Sequence, residues 1–151
     1  MGVDLCAQGI ELGAELEAHI LLDAEALLLA AGLEESELSL AVMNDEGIQQ
    51  LNGHWRDQDK PTDVLSFPQD LPGLLGDLAL SLETAEQQAS HRGHSLRCEL
   101  RILLVHGLLH LTGHDHEKGP QEHEEMAQEE QRLMRLLKWE GQGLIGLADL
   151  A

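Results

Sequence analysis

Apolar residues at Leu12, Leu16, Ile20, Ala24, Leu27 and Leu28 recur at helical spacing and stop at Gly32, which predicts a helix over 12–31. Residues 37–43 alternate instead, with Leu38, Leu40 and Val42 on one side and Ser39 and Ala41 on the other, the period of a half-buried strand. Asn44 or Asp45 can cap a short helix whose apolar positions are Ile48, Leu51 and Trp55. Beyond Pro61, Val64 to Phe67 reads as a strand ended by Pro68, and a Pro/Gly/Asp-rich turn over 68–73 leads to another strand at 74–80. Ser81, Glu83 and Thr84 open a helix to about His91. A Leu-rich helix over 95–112 is stopped by Gly113, and Pro120 stands in the first turn of a charged amphipathic helix over 120–138. No element is assigned before residue 12, and the Gly-rich tail from about 140 is expected to be weakly structured. A few strands followed mostly by helices give an α+β class, with no repeat or linker to divide residues 1–151 into more than one domain.

Composition narrows this picture. The chain has 151 residues, enough for a core without staples, but its aromatic content is only 2%, so Leu, Val, Ile and Ala must fill the interior. Cys6 and Cys98 make no spaced framework, and a reduced, intracellular setting is the simpler reading. The first residues carry no basic and apolar leader, and no apolar run is long enough to span a bilayer, so a soluble, cytoplasmic protein is expected. A net charge of −19 disfavours an extended nucleic-acid-binding face, DNA included. Yet Arg56 lies near Lys60, and Arg92 near Arg97 and Arg101, while carboxylates crowd 11–37 and 117–130. A local basic cleft on an acidic body stays compatible with that distribution.

The chemistry concentrates in HGLLHLTGHDH, residues 106–116. His106 and His110 leave one helix face a turn apart, and two imidazoles so placed can chelate one ion. Gly113 lets the chain double back, bringing His116 round as a third ligand. Three neutral imidazoles with a fourth position open describe a catalytic zinc site, one Zn2+ per chain. His114 is the weaker candidate, and His19, His54, His91, His94 and His123 read as solvated side chains. The spacing is that of H-E-x-x-H-x-x-G-x-x-H zinc hydrolases, but Gly107 stands where the peptidase Glu belongs, so a poor peptidase is expected. Asp115 is either a weak base or orienter beside the metal, or a turn residue. The segment NGHWRDQDKPTDVLSFP, residues 52–68, runs from a helix through a loop into a strand, where Arg56 is either part of a charged surface loop or a source of paired donors to a phosphate, with Lys60 a lesser contact.

These two motifs, together with LGDLALS at 75–81, resemble the YbeY family of metal-dependent endoribonucleases, in order and approximate spacing over most of residues 37–137. The resemblance implies a small mixed β-sheet packed among helices, with a zincin-like metal-binding helix. It implies zinc at His106, His110 and His116, and a role for Arg56 in catalysis or RNA phosphate binding. It further implies single-stranded RNA as substrate, 3′-end maturation of small-subunit ribosomal RNA, and ribosome quality control beside the small subunit and an Era-type GTPase. Trp55 stands where the family usually has Tyr, His114 replaces a common Tyr, and the tail does not match. The expected reaction is cleavage of an RNA phosphodiester at the zinc, His106 included, with Arg56 stabilising the transition state. Two rivals are a zinc peptidase, which Gly107 opposes, and a non-catalytic ribosome assembly factor with a structural metal, which the acidic surface suits.

Overall fold

The computed structural model describes residues 2–150. Four strands, β1 (Gly2–Gln8), β2 (Glu37–Met43), β3 (Val64–Leu71) and β4 (Leu74–Ser81), form a sheet in the order β1-β2-β4-β3. β1 and β4 run parallel to β2, and β3 is antiparallel to β4, so the sheet is mixed. Six helices are seen among the described residues: α1 (Ala14–Ala30), α2 (Asp45–Arg56), α3 (Leu82–Arg92), α4 (Leu96–Leu111), α5 (Pro120–Leu137) and α6 (Leu144–Leu150). None is long and apolar enough to cross a membrane.

The alternation within each strand sorts the sheet into two faces. Val3, Leu5, Leu38, Leu40, Val42, Val64, Leu78 and Leu80 turn towards α1 and α4 and join the main core. Ala41, Met43, Leu65, Phe67 and Ala79 turn the other way and pack with Ile48 and Leu51 of α2 in a smaller cluster. α4 is therefore the central helix, buried at nearly every position from Glu99 to Leu111. It docks so closely on the sheet that a Cβ on Gly107 would meet Leu78 Cδ2 at 2.8 Å and Val64 Cγ2 at 3.2 Å. The Ser66 hydroxyl donates to the Gly107 carbonyl at 3.2 Å, tying β3 to the same turn.

Most boundaries follow the sequence pattern, and the departures have physical causes. The first helix begins at Ala14, after an extended Gly13, so Leu12 lies outside it. β3 does not stop at Pro68 but continues to Leu71, because β3 is an edge strand where a residue without an N–H leaves no neighbour unpaired. Gly76 makes the facing bulge workable: its φ is +136°, and a Cβ there would strike the Phe67 carbonyl. A strand at Gly2–Gln8 and a sixth helix in the tail, neither foreseen, complete the structure. β1 reads weakly because it too is an edge, with only Gly2, Val3 and Leu5 partly buried.

Candidate metal centre

His106 and His110 stand on the last turns of α4, and His116 follows the bend at Gly113, whose φ is +104°. Asp115 shapes this return: its carboxylate accepts from the Glu117 N–H at 3.0 Å, and its carbonyl accepts from the Lys118 N–H. The three rings converge, with centroids 4.7, 5.1 and 5.2 Å apart. One ring nitrogen from each lies within 4.8 Å of the others, and these three residues form the metal-competent His group among the described residues. His114 is left out of it.

Three observations test whether a divalent cation fits. His106 Nε2 and His110 Nε2 face each other at 3.2 Å, close to the ~3.3 Å that separates two donors bound tetrahedrally at 2.0–2.1 Å. A ring N–H between them makes a hydrogen bond, and with both nitrogens unprotonated the same spacing suits a shared cation. His116 Nδ1 is buried without a hydrogen-bond partner, which an ion or the turn around it must answer. Burial, then the neighbouring His106 and His116, holds His110 down to about 4, and burial likewise lowers His116. Both stay neutral at physiological pH, the state that ligates metal. The donor set fits.

Sequence reasoning missed the residue that orients the first ligand. Glu130 of α5 is fully buried; its Oε2 accepts from His106 Nδ1 at 2.8 Å and its Oε1 from the Ile145 N–H at 3.0 Å. With Nδ1 carrying the proton, Nε2 presents its lone pair towards the other histidines, the arrangement of a carboxylate–histidine–metal triad. Gln131 accepts from the Gly143 N–H, and a Cβ on Gly143 would collide with Glu130 at 2.6 Å. The tail is thus seated against the ligand's own support. The available signal was a Glu within the apolar stripe Met126, Leu133 and Leu137.

The histidines open onto a cleft of about 920 Å³. Arg56, Lys60, Arg92 and Lys118 line it, four of the nine Lys and Arg in the chain, against three carboxylates, Asp63, Asp115 and Glu117. The cleft therefore lacks the 28-to-9 excess of acidic residues seen in the whole sequence. Arg56 ends α2, and its loop is pinned by buried Asn52, whose amide donates to the Lys60 carbonyl at 2.9 Å. Arg92 reaches the buried Glu99 at 2.6 Å, and His94 shares that carboxylate. The expected grouping of Arg92 with Arg97 and Arg101 does not hold: the latter two clamp Asp23 of α1 instead. His94 and His123 are not simple surface residues either, since His123 borders the cleft with its ring 6.2 Å from His116.

Fold and site together define a small α+β protein built round a helix-borne three-histidine centre in a cleft that also holds Arg56, Lys60 and Lys118. A family model described as Endoribonuclease YbeY matches residues 12–138, and the chain belongs to that family. It is 46% identical over 118 residues to Endoribonuclease YbeY of Aquifex aeolicus (strain VF5), covering 76% of this chain and 79% of that protein. It is 42% identical over 140 residues to Endoribonuclease YbeY of Anaeromyxobacter dehalogenans (strain 2CP-C), covering 90% of this chain and 69% of the other. The match to the chloroplastic Endoribonuclease YBEY of Arabidopsis thaliana is 49% over 120 residues, yet spans only 20% of that longer protein. Among solved structures, a Thermotoga maritima protein studied in solution shares the fold with a TM-score of 0.59 at 22% identity, covering 90% of this chain and 91% of that one.

Proposed function

We propose that the chain is a zinc-dependent endoribonuclease that cleaves single-stranded RNA as one domain. Its place would be the cytoplasm, in 3′-end maturation of small-subunit ribosomal RNA and in ribosome quality control, beside the small subunit, its proteins and an Era-type GTPase. The observation that carries this reading is the meeting of His106, His110 and His116 at one wall of a cleft whose other walls hold Arg56 and Lys60. His106, His110 and His116 would hold the Zn2+, which would supply Lewis acidity to the reaction.

The chain's own residues do the rest. Arg56 presents a planar guanidinium to a backbone phosphate and stabilises the charge that grows on it as the phosphodiester breaks. Lys60 adds a mobile point charge, held within reach by the Asn52 contact to its backbone. Asp115 keeps the turn that returns His116, and Glu130 keeps His106 in the productive tautomer. A peptidase base has no room, since a side chain at position 107 is directed into Leu78 and Val64 rather than into the cleft.

Arg56→Ala separates catalysis from metal binding, because Arg56 is exposed and is not part of the histidine group. The variant should keep about one zinc per chain and lose at least 100-fold in RNA cleavage, the usual scale for removing a preorganised charge donor. Full cleavage by Arg56→Ala removes it from the mechanism. Zinc-loaded wild type that joins ribosomes but cleaves no RNA favours the assembly-factor reading, which the net charge of −19 suits through contacts with basic proteins.

A further inference from the structure

The chain has three aromatic residues of the Phe, Trp and Tyr types, and two of them, Trp55 and Phe67, meet at the surface beside Arg56. Their centroids are 6.3 Å apart at 68°, and the His54 ring lies 4.8 Å from that of Trp55 at 86°. These edge contacts fix the Trp55 ring while leaving the residue 64% exposed, a costly arrangement for a protein so poor in aromatics. Both rings border a groove of about 750 Å³ on the outer face of the sheet, whose charged lining residues are Asp4 and Asp77. Ser66 and Pro68 on edge strand β3 border this groove and the metal cleft alike, so the two are continuous across one strand.

We propose that Trp55 and Phe67 form a stacking subsite for an unpaired nucleobase of the strand whose phosphate Arg56 holds in the cleft. The inference rests on the RNA-cleaving reading and deepens it. Base–aromatic stacking tolerates any base, because each has a π-face, but it demands a base free of its own helix. That requirement would make the enzyme selective for single strands without sequence readout. The carboxylates of Asp4 and Asp77 repel a phosphate and accept from base N–H groups, so the groove suits the base while the backbone stays on the Arg56 side. Arg56 and Trp55 are consecutive at the end of α2, Arg56 lining the cleft and Trp55 the groove across β3 from it.

The test is tryptophan fluorescence of the full-length, zinc-loaded protein titrated with a nuclease-resistant phosphorothioate oligouridylate, with buried Trp139 as a constant background. Wild type should be quenched by the single strand and not by duplex RNA. With binding of the Trp55 variants read instead by the anisotropy of a dye-labelled strand, Trp55→Ala should raise Kd and KM together about tenfold with kcat changed less than twofold, and Trp55→Phe should bind within about threefold of wild type. If RNA is bound and cleaved but Trp55→Ala binds as wild type does, the subsite is overturned while the nuclease reading stands, and the groove belongs to a protein partner. If zinc-loaded wild type neither binds nor cleaves RNA, the nuclease reading falls and the subsite with it.

Discussion

Glu130 shows how one buried carboxylate ties three parts of the chain to one purpose. It has no cation of its own; its two oxygens serve a ring N–H and a backbone N–H, so its charge is satisfied only while His106 and the tail are both in place. Glu130→Gln preserves size but offers a donor where one acceptor is needed. It should weaken zinc 10- to 100-fold in competition with a chromophoric chelator. Wild-type affinity in that variant would reduce Glu130 to a packing residue. The meeting of His106, His110 and His116 was legible in the sequence, because helical spacing and a glycine bend leave few geometries for them. Glu130 and Asn52 were not, since a Glu among 28 acidic residues reads as solvated until its neighbours along the stripe are seen to be buried.

Among the elements, α4 carries both the core and the site, and its position is set partly by a charged clamp. Asp23 of α1, with its side chain 6% exposed, receives both guanidinium forks, Arg97 at 2.9 and 3.0 Å and Arg101 at 3.0 and 3.2 Å. Burial by itself raises the Asp23 carboxyl, but the hydrogen bonds and charges of the two arginines outweigh it and hold the group below its ordinary 3.8. A depressed folded pKa stabilises the native state above the unfolded value and ceases to do so as pH falls through the folded one. Asp23→Asn should therefore cost roughly 3 kcal/mol at neutral pH, the scale of a broken buried pair. In urea unfolding the gap from wild type should hold from pH 7 to about pH 5 and close only below about pH 4. A gap already closing between pH 7 and 5 contradicts this assignment. Periodicity could place α1 and α4, but not this contact, because an Asp on a Leu-rich helix carries no sign of a partner more than seventy residues away. The edge strands were harder for another reason: β1 and the end of β3 have neighbours on one side only, so their patterns are diluted by exposed positions.

At the scale of the molecule, the sheet order puts β3 at the edge against α4, and the cleft lies where that edge, the end of α2 and the bend after α4 come together. Charge follows the same plan. Arg92 pairs with Glu99, Arg97 and Arg101 with Asp23, and Arg132 with Glu129, while Arg56, Lys60 and Lys118 line the cleft. On a chain of net charge −19, gathering Arg56, Lys60 and Lys118 beside the histidines makes the cleft the place where a phosphate meets least repulsion. The sequence carried the charge count; only the fold says which cations are already paired. All of this depends on three rings sharing one ion with a place left for a reactant. X-ray absorption at the zinc edge on the loaded protein measures that directly. The account requires three imidazole nitrogens at about 2.0–2.1 Å and one non-protein oxygen donor. A zinc held by four protein ligands, or by fewer than three of these histidines, contradicts it.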